Sequence, residues 1–139
     1  MRRRHRASDR SGTATLELAA VLPFLILLVL VGVDFARVYY HNLTLINAAG
    51  EGALYASSHP THVNNTSQIK AMVLADTKNL TPDPTVSSST RTDASGVQYV
   101  TVTVSWDFHT VMNYPGVPQP MTLSRSVEMR VGPLNPNGS

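Results

Sequence analysis

The longest apolar stretch of the chain lies near its N-terminus. Leu18–Val33 holds sixteen residues without a charge, and twelve of them are Leu, Ile, Val or Phe. Extended back to Thr13, the segment has twenty-one residues and one charge, at Glu17. As a helix it spans about 31 Å, close to the hydrocarbon thickness of a bilayer. Its large apolar side chains contribute about −4 to −7 kcal/mol to insertion, more than the cost of up to roughly 3 kcal/mol for one acidic residue. The pattern therefore predicts a transmembrane helix over residues 13–33.

Beyond this stretch, apolar residues recur at every third or fourth position, which predicts that the helix continues past the membrane. Its apolar face is predicted to consist of Phe35, Val38, Tyr39, Asn42, Ile46, Ala49, Ala53 and Ala56. The helix is predicted to end at residues 57–60, because Pro60 disfavours helical geometry in the residue before it.

The remaining chain predicts a short helix and three antiparallel strands. Asn65–Ser67 is a suitable N-cap zone for a helix from about Gln68 to Leu80. Its buried side is predicted to hold Ile69, Met72, Val73 and Leu80. Apolar and polar residues alternate strictly from Val97 to Phe108, which is typical of a half-buried strand.

Two further strands are predicted around that central one. The segment 86–92 is expected to pair with it through a turn in which Gly96 takes a positive φ, and Met121–Val131 forms the third strand. The predicted fold class is therefore α+β, with a long N-terminal membrane-spanning helix packed against a small antiparallel sheet with one short helix.

The charges of the chain are few and unevenly placed. Charged residues make up 14% of the sequence, and residues 1–12 contain five arginines and one acid. By the positive-inside rule, this basic segment predicts a cytoplasmic N-terminus and an extracytoplasmic head. The other 127 residues hold six basic and eight acidic groups, so a nucleic-acid partner is not expected. The absence of cysteine excludes disulfides and thiol catalysis.

A predicted cleavage motif lies between the basic segment and the apolar stretch. Gly12 ends the basic segment, and Glu17 follows five residues later, as in the prepilin pattern G|xxxxE. Glycine has no side chain, so a membrane protease could approach the backbone closely there. Cleavage after Gly12 would expose an amine on Thr13, which could neutralise the Glu17 carboxylate of a neighbouring subunit within an apolar helix bundle. Pro23 would remove one hydrogen bond and kink or loosen the helix.

These residues resemble a known family. The segments 10–19, 22–24 and 34–37 are similar to the TadE-like proteins of the tight-adherence (Tad/Flp) pilus system, and so is the small-residue segment 46–53. Leu54 stands where that family often has an arginine. The resemblance implies a pilin-like lollipop that serves as a minor pilin or pseudopilin in adhesion or secretion.

The resemblance also implies partners and a location. The partners are a prepilin peptidase, other pilin-like subunits that contact the N-terminal helix, an inner-membrane assembly platform with its ATPase, and the lipid bilayer. The location is the inner (cytoplasmic) membrane in a single pass, and the pilus after cleavage. The expected organisation is a basic leader at 1–12, a transmembrane helix with its extension at 13–56, a head at 57–131 and a flexible tail at 132–139.

The end of the span carries residues suited to a membrane interface. Phe35, Tyr39 and Tyr40 are predicted to form an aromatic belt, and Asp34 is predicted to pair with Arg37 at three-residue spacing.

Little in the sequence points to catalysis. His59 and His62 lie three apart with no evident third ligand, so no metal site is predicted, and no catalytic residue or cofactor is expected. We therefore expect a structural protein rather than an enzyme. An uncleaved single-pass membrane protein with an extracytoplasmic binding domain is the alternative.

Overall fold

The computed structural model describes residues 10–132, so the predicted leader up to residue 9 and the tail from residue 133 lie outside the described residues. The elements follow the order α1 (Arg10–Ser57), α2 (Thr66–Asp76), β1 (Thr85–Thr92), β2 (Gln98–Phe108) and β3 (Met121–Arg130). The predicted α+β fold class is confirmed. The chain divides into two compact units, an N-terminal unit up to Ala36 and a C-terminal unit from Arg37.

Helix α1 is 48 residues long and contains Pro23 in its interior. It extends beyond the predicted transmembrane segment and ends at Ser57, as the residues before Pro60 predicted. The end of α1 is tied to the end of the sheet, because the amide of Gly132 donates a 2.7 Å hydrogen bond to the carbonyl of Ser57.

The three strands form one antiparallel sheet in the order β1-β2-β3. The register pairs Val86 with Val104 and Val102 with Val127, so that the apolar residues of the strands share one face. The turn between β1 and β2 has Gly96 at a φ of 82°, as predicted. The Asp93 carboxylate closes this turn by accepting hydrogen bonds from the amides of Ser95 and Val97, each at 2.9 Å.

The hydrophobic core of the C-terminal unit lies between this sheet face and the two helices. Its buried members include Leu45, Ala48, Ala49, Ala53 and Ala56 of α1, Ile69 and Val73 of α2, and Val100, Val102, Val104 and Phe108 of β2. Small residues let α1 approach its neighbours closely. A Cβ atom placed on Gly52 would lie 2.7 Å from a methyl group of Val73 and 3.3 Å from one of Val102.

The predicted apolar face of the helix extension was wrong in part. Ala49, Ala53 and Ala56 are buried, but Phe35 is 76% exposed, Tyr39 63% and Ile46 42%. Leu45 is fully buried instead. The buried stripe is therefore rotated from the predicted one, because both faces of this segment carry apolar residues and their spacing alone does not identify the inner face.

The N-cap of the short helix lies in the predicted zone, but the helix begins and ends earlier than predicted. It begins at Thr66, after Asn65 as N-cap, whose side-chain oxygen accepts from the amide of Gln68 at 3.3 Å. It ends at Asp76 rather than Leu80, although Leu80 is still buried. Met72, predicted to face inward, is 41% exposed.

Candidate functional site

The candidate functional site is the apolar part of α1 in the N-terminal unit. Every residue from 12 to 29 is exposed, on all sides of the helix. Among the described residues, α1 is the one helix long and apolar enough to cross a membrane, and none of its most apolar window is buried within the chain. Exposed apolar side chains on every side need lipid or other helices around them. This part of the chain has the character of a membrane-inserted helix.

The residues of the predicted cleavage motif lie at the start of this helix. Gly12 and Thr13 are in the first turn of α1, and Glu17 follows one turn after Thr13. All three are exposed. A Cβ atom on Gly12 would meet nothing within 4 Å, so no neighbouring group of the described chain requires glycine at this position. Because residues four apart lie on one face of a helix, Thr13 and Glu17 share a face. The cleavage and assembly roles of these residues stay predictions.

Pro23 lies well inside α1, and the helix continues through it. Proline has no amide hydrogen, so the carbonyl of Ala19, four residues earlier, lacks its helical partner. In lipid such a freed carbonyl is tolerated where other groups satisfy it. An assembly role for Pro23 also stays a prediction.

The five predicted interface residues have different environments. Asp34 is buried, with 4% of its surface exposed, whereas Phe35, Tyr39 and Tyr40 are well exposed. Arg37 is half-buried, and its guanidinium carbon lies 4.9 Å from the ring centroid of Phe108 in β2. This guanidinium therefore stacks over an aromatic ring of the sheet. The assignment of all five residues to a membrane interface stays a prediction.

Sequence reasoning missed an aromatic cluster around His41 in the C-terminal unit. The His41 ring centroid lies 4.9 Å from that of Trp106, 5.7 Å from that of Phe108 and 5.5 Å from that of Tyr40. Burial, and to a smaller extent the positive charge of Arg37, lowers the pKa of His41 below its ordinary value. The sequence signal was the one-turn spacing of Arg37 and His41, which places both on one helix face but does not reveal the aromatic partners from β2.

A second polar cluster lies in the loop after α1. His62 stacks on Tyr55 with ring planes 4° apart, and its Nδ1 lies 2.9 Å from the hydroxyl of Ser58. The amide of Thr61 donates to Nδ1 of His59 at 3.3 Å. Within residues 10–132, no group of three or more His, Asp or Glu side chains could hold a metal ion. Both histidines make contacts within this part of the chain, His62 with Tyr55 and Ser58 and His59 with Thr61.

Comparison with known proteins bears on the apolar helix. The family model described as TadE-like protein matches residues 12–54, which confirms over this range the resemblance stated from the sequence. The match covers α1 from Gly12 almost to its end and leaves α2 and the sheet outside. No curated protein and no solved structure matches the chain. The similarity is therefore to TadE-like proteins over α1 alone.

Proposed function

We propose that this chain is a minor pilin or pseudopilin of a Tad-type pilus, inserted in the inner membrane and trimmed by a prepilin peptidase after Gly12. The observation that carries the proposal is the apolar helix of the N-terminal unit. Its side chains are exposed on every side, and it begins with glycine and glutamate at prepilin spacing. The family match over residues 12–54 supports the same assignment.

The membrane stage follows from the distribution of charge. The five arginines among residues 1–12 stay in the cytoplasm, where the positive-inside rule retains basic segments. The apolar helix crosses the bilayer once, and the C-terminal unit lies on the extracytoplasmic side. In this arrangement the arginines tether the precursor to the cytoplasmic face of the membrane.

The processing step is hydrolysis of the peptide bond between Gly12 and Thr13. Water adds to the Gly12 carbonyl, the C–N bond breaks, and the amine of Thr13 leaves with a proton. Both residues lie in the first turn of α1, where the amides lack helical acceptors and the turn opens at small cost. Within residues 10–132, a Cβ atom added to Gly12 would meet nothing within 4 Å, which leaves room for the protease.

The assembly step replaces lipid contacts by helix contacts. Removal of the arginine tether leaves an apolar helix that can move from the bilayer into a bundle of similar helices. The new Thr13 amine and the Glu17 carboxylate of a neighbouring subunit then neutralise each other, since an unpaired charge in such a bundle would cost several kcal/mol. Leaving the lipid opposes an insertion free energy of about 4 to 7 kcal/mol, so an ATP-driven assembly platform is an implied partner.

The mass of the mature chain tests this proposal. Protein is purified from native membranes, and its N-terminal peptide is identified by mass spectrometry. We expect a chain that begins at Thr13. A chain that keeps its arginines would instead support an uncleaved membrane protein with an extracytoplasmic binding domain.

A pair of glycine variants isolates the cleavage motif. Gly12→Ala should block processing, whereas Gly32→Ala should be processed like the natural chain. The control is matched, because a Cβ atom on either glycine meets nothing within 4 Å and both lie in the exposed part of α1. Equal processing of both variants would contradict a role for Gly12 in recognition.

Glu17 is tested by a second pair. Glu17→Ala should still be processed but should assemble poorly, because the Thr13 amine loses its partner. Glu51→Ala removes an exposed acid from the same helix outside the apolar part and should assemble normally. The measurement is the amount of subunit in sheared pili or cross-linked assemblies, and normal assembly of Glu17→Ala would remove the intersubunit role.

A further inference from the structure

The His41 ring joins α1 to the sheet in the C-terminal unit. It lies against Trp106 and Phe108 of β2, while the Arg37 guanidinium, one turn earlier, lies over Phe108. Two groups that can carry positive charge therefore meet the ring of Phe108. The contact holds the first turns of α1 in this unit, 37–45, against the strand.

The Nδ1 atom of His41 is buried and makes no hydrogen bond with any group of residues 10–132. A neutral imidazole is compatible with this position, because its unprotonated Nδ1 is a hydrogen-bond acceptor that can stay unpaired at a moderate cost in free energy. A protonated imidazole carries a hydrogen on both nitrogens. Its Nδ1–H would be a buried donor without an acceptor, next to the positive charge of Arg37.

The remaining groups next to His41 come from α1 and from β2. On α1 the Tyr40 phenol, which accepts from Nδ2 of Asn79 at 3.4 Å, lies next to His41, and the buried Asp34 lies two helical turns earlier. On β2 the neighbours are Trp106 and Phe108, whose cross-strand partners on β3 are the uncharged Leu123 and Met121. Asp107 lies on the opposite face of β2, where its carboxylate accepts from Thr122 at 2.7 Å. Attraction between an imidazolium and the rings would act in the other direction, but Arg37 already lies over Phe108.

We propose that His41 is an acid-sensitive clamp, which packs α1 against β2 when neutral and loosens that packing when protonated. This inference concerns the C-terminal unit alone and does not depend on the pilin assignment. The sign follows from linkage. A base that is harder to protonate in the folded state binds more protons in the unfolded state, so stability falls as the pH drops below the unfolded pKa of about 6.5.

Trp106 is the single tryptophan of the chain and lies in the cluster, so its emission reports on the clamp directly. The full chain in detergent micelles is unfolded with urea between pH 7.5 and pH 5.0, and the unfolding equilibrium constant is measured from Trp106 emission. We expect this constant to rise by up to about tenfold per pH unit below pH 6.5. The carboxylates of Asp93 and Glu128, whose pKa values are lowered by their hydrogen bonds, titrate below this window.

Three variants separate the clamp from other acid effects. His41→Phe keeps a ring but cannot be protonated, so its unfolding constant should stay flat from pH 7.5 to pH 5.0. His109→Gln removes an exposed histidine next to β2 and should retain the acid dependence of the natural chain. Arg37→Gln removes the neighbouring positive charge, so the rise in the constant should be smaller than in the natural chain.

Two results would overturn the proposal. One is an unchanged acid dependence in His41→Phe. The other is a natural chain that is as stable at pH 5.0 as at pH 7.5, because attraction between the imidazolium and the rings would then outweigh the burial of its charge. If His41→Phe does not fold, the natural chain decides the question, because a stability that does not fall between pH 7.5 and pH 5.0 rules out the clamp.

Discussion

The two parts of α1 show how the placement of apolar residues, rather than their number, decides what a helix does. From residue 12 to 29 every side chain is exposed, and large apolar groups occupy all sides. From Arg37 to Ser57 the helix has a buried stripe that packs into a core and an exposed side that does not. The apolar stripe of the second part is buried by α2 and the sheet of the same chain. The first part has no such partner among the described residues, so its stability depends on a surrounding of lipid or other helices.

The largest effect is expected when charged residues are introduced into the first part of α1. The double variant Leu25→Arg with Leu28→Arg should lose membrane insertion, because two central arginines in place of leucines cost about 7 kcal/mol, as much as the whole apolar stretch contributes. Alkaline extraction of membranes followed by immunoblotting measures the inserted fraction. The matched control is Leu43→Arg with Leu54→Arg, which charges exposed leucines of the second part and should leave insertion intact. Stable insertion of the first variant would contradict the membrane role of the apolar helix.

The next effect concerns the buried stripe of the second part. Leu45 and Ile46 are neighbours in sequence, but Leu45 is fully buried and Ile46 is 42% exposed. Leu45→Ala should lower the free energy of unfolding of the C-terminal unit by about 2 to 5 kcal/mol through the lost contacts and the cavity left behind. Ile46→Ala should cost less than about 1 kcal/mol. Urea unfolding followed by Trp106 emission in the full chain measures both, and equal losses would mean that the stripe is placed wrongly.

Leu45 and Ile46 also show which features of the fold could not be predicted from the sequence. The long apolar helix, the strands and the turn at Gly96 could be predicted, because each depends on a local signal: an uncharged run, strict alternation, or a residue that accepts positive φ. The inner face of the helix extension could not. Leu45 and Ile46 are equally apolar, and the choice between them depends on packing with α2 and the sheet, which come later in the sequence. The clamp residue His41 was missed for the same reason, since Trp106 and Phe108 come from β2.

A smaller effect separates two glycines of the same helix. Gly52→Ala should destabilise the C-terminal unit by about 1 to 3 kcal/mol, because the added Cβ would lie 2.7 Å from a methyl group of Val73 and force the packing to shift. Gly50→Ala meets nothing within 4 Å and should stabilise the unit by about 0.5 to 1 kcal/mol, since alanine favours the helix. Opposite signs in the same unfolding assay would confirm close approach at Gly52, and a stabilising Gly52→Ala would refute it.

The smallest effect is expected on the outer face of the sheet, the face that points away from the core. This face carries exposed polar groups. The Arg91 guanidinium donates to both carboxylate oxygens of Glu128, at 2.7 Å and 3.2 Å, and these hydrogen bonds lower the pKa of Glu128. A carboxyl group that is more acidic in the folded state stabilises the fold above its unfolded pKa of about 4.3, and this stability is lost as the pH falls through the lower folded value. Glu128→Gln should therefore flatten the acid limb of the unfolding profile below pH 4.5.

Variants of the Arg91–Glu128 ion pair provide the controls for this unfolding measurement. Arg91→Gln should weaken the acid limb in the natural chain and have no further effect in Glu128→Gln, because the hydrogen bonds between the two side chains are the first cause of the lowered pKa. High salt should reduce the difference between the natural chain and Glu128→Gln, since both partners are exposed to solvent, at 57% and 42% of their side-chain surface. An acid limb that is unchanged in both single variants would mean that this pair has no part in stability. The buried stripe of α1 would then hold the C-terminal unit without help from the outer face.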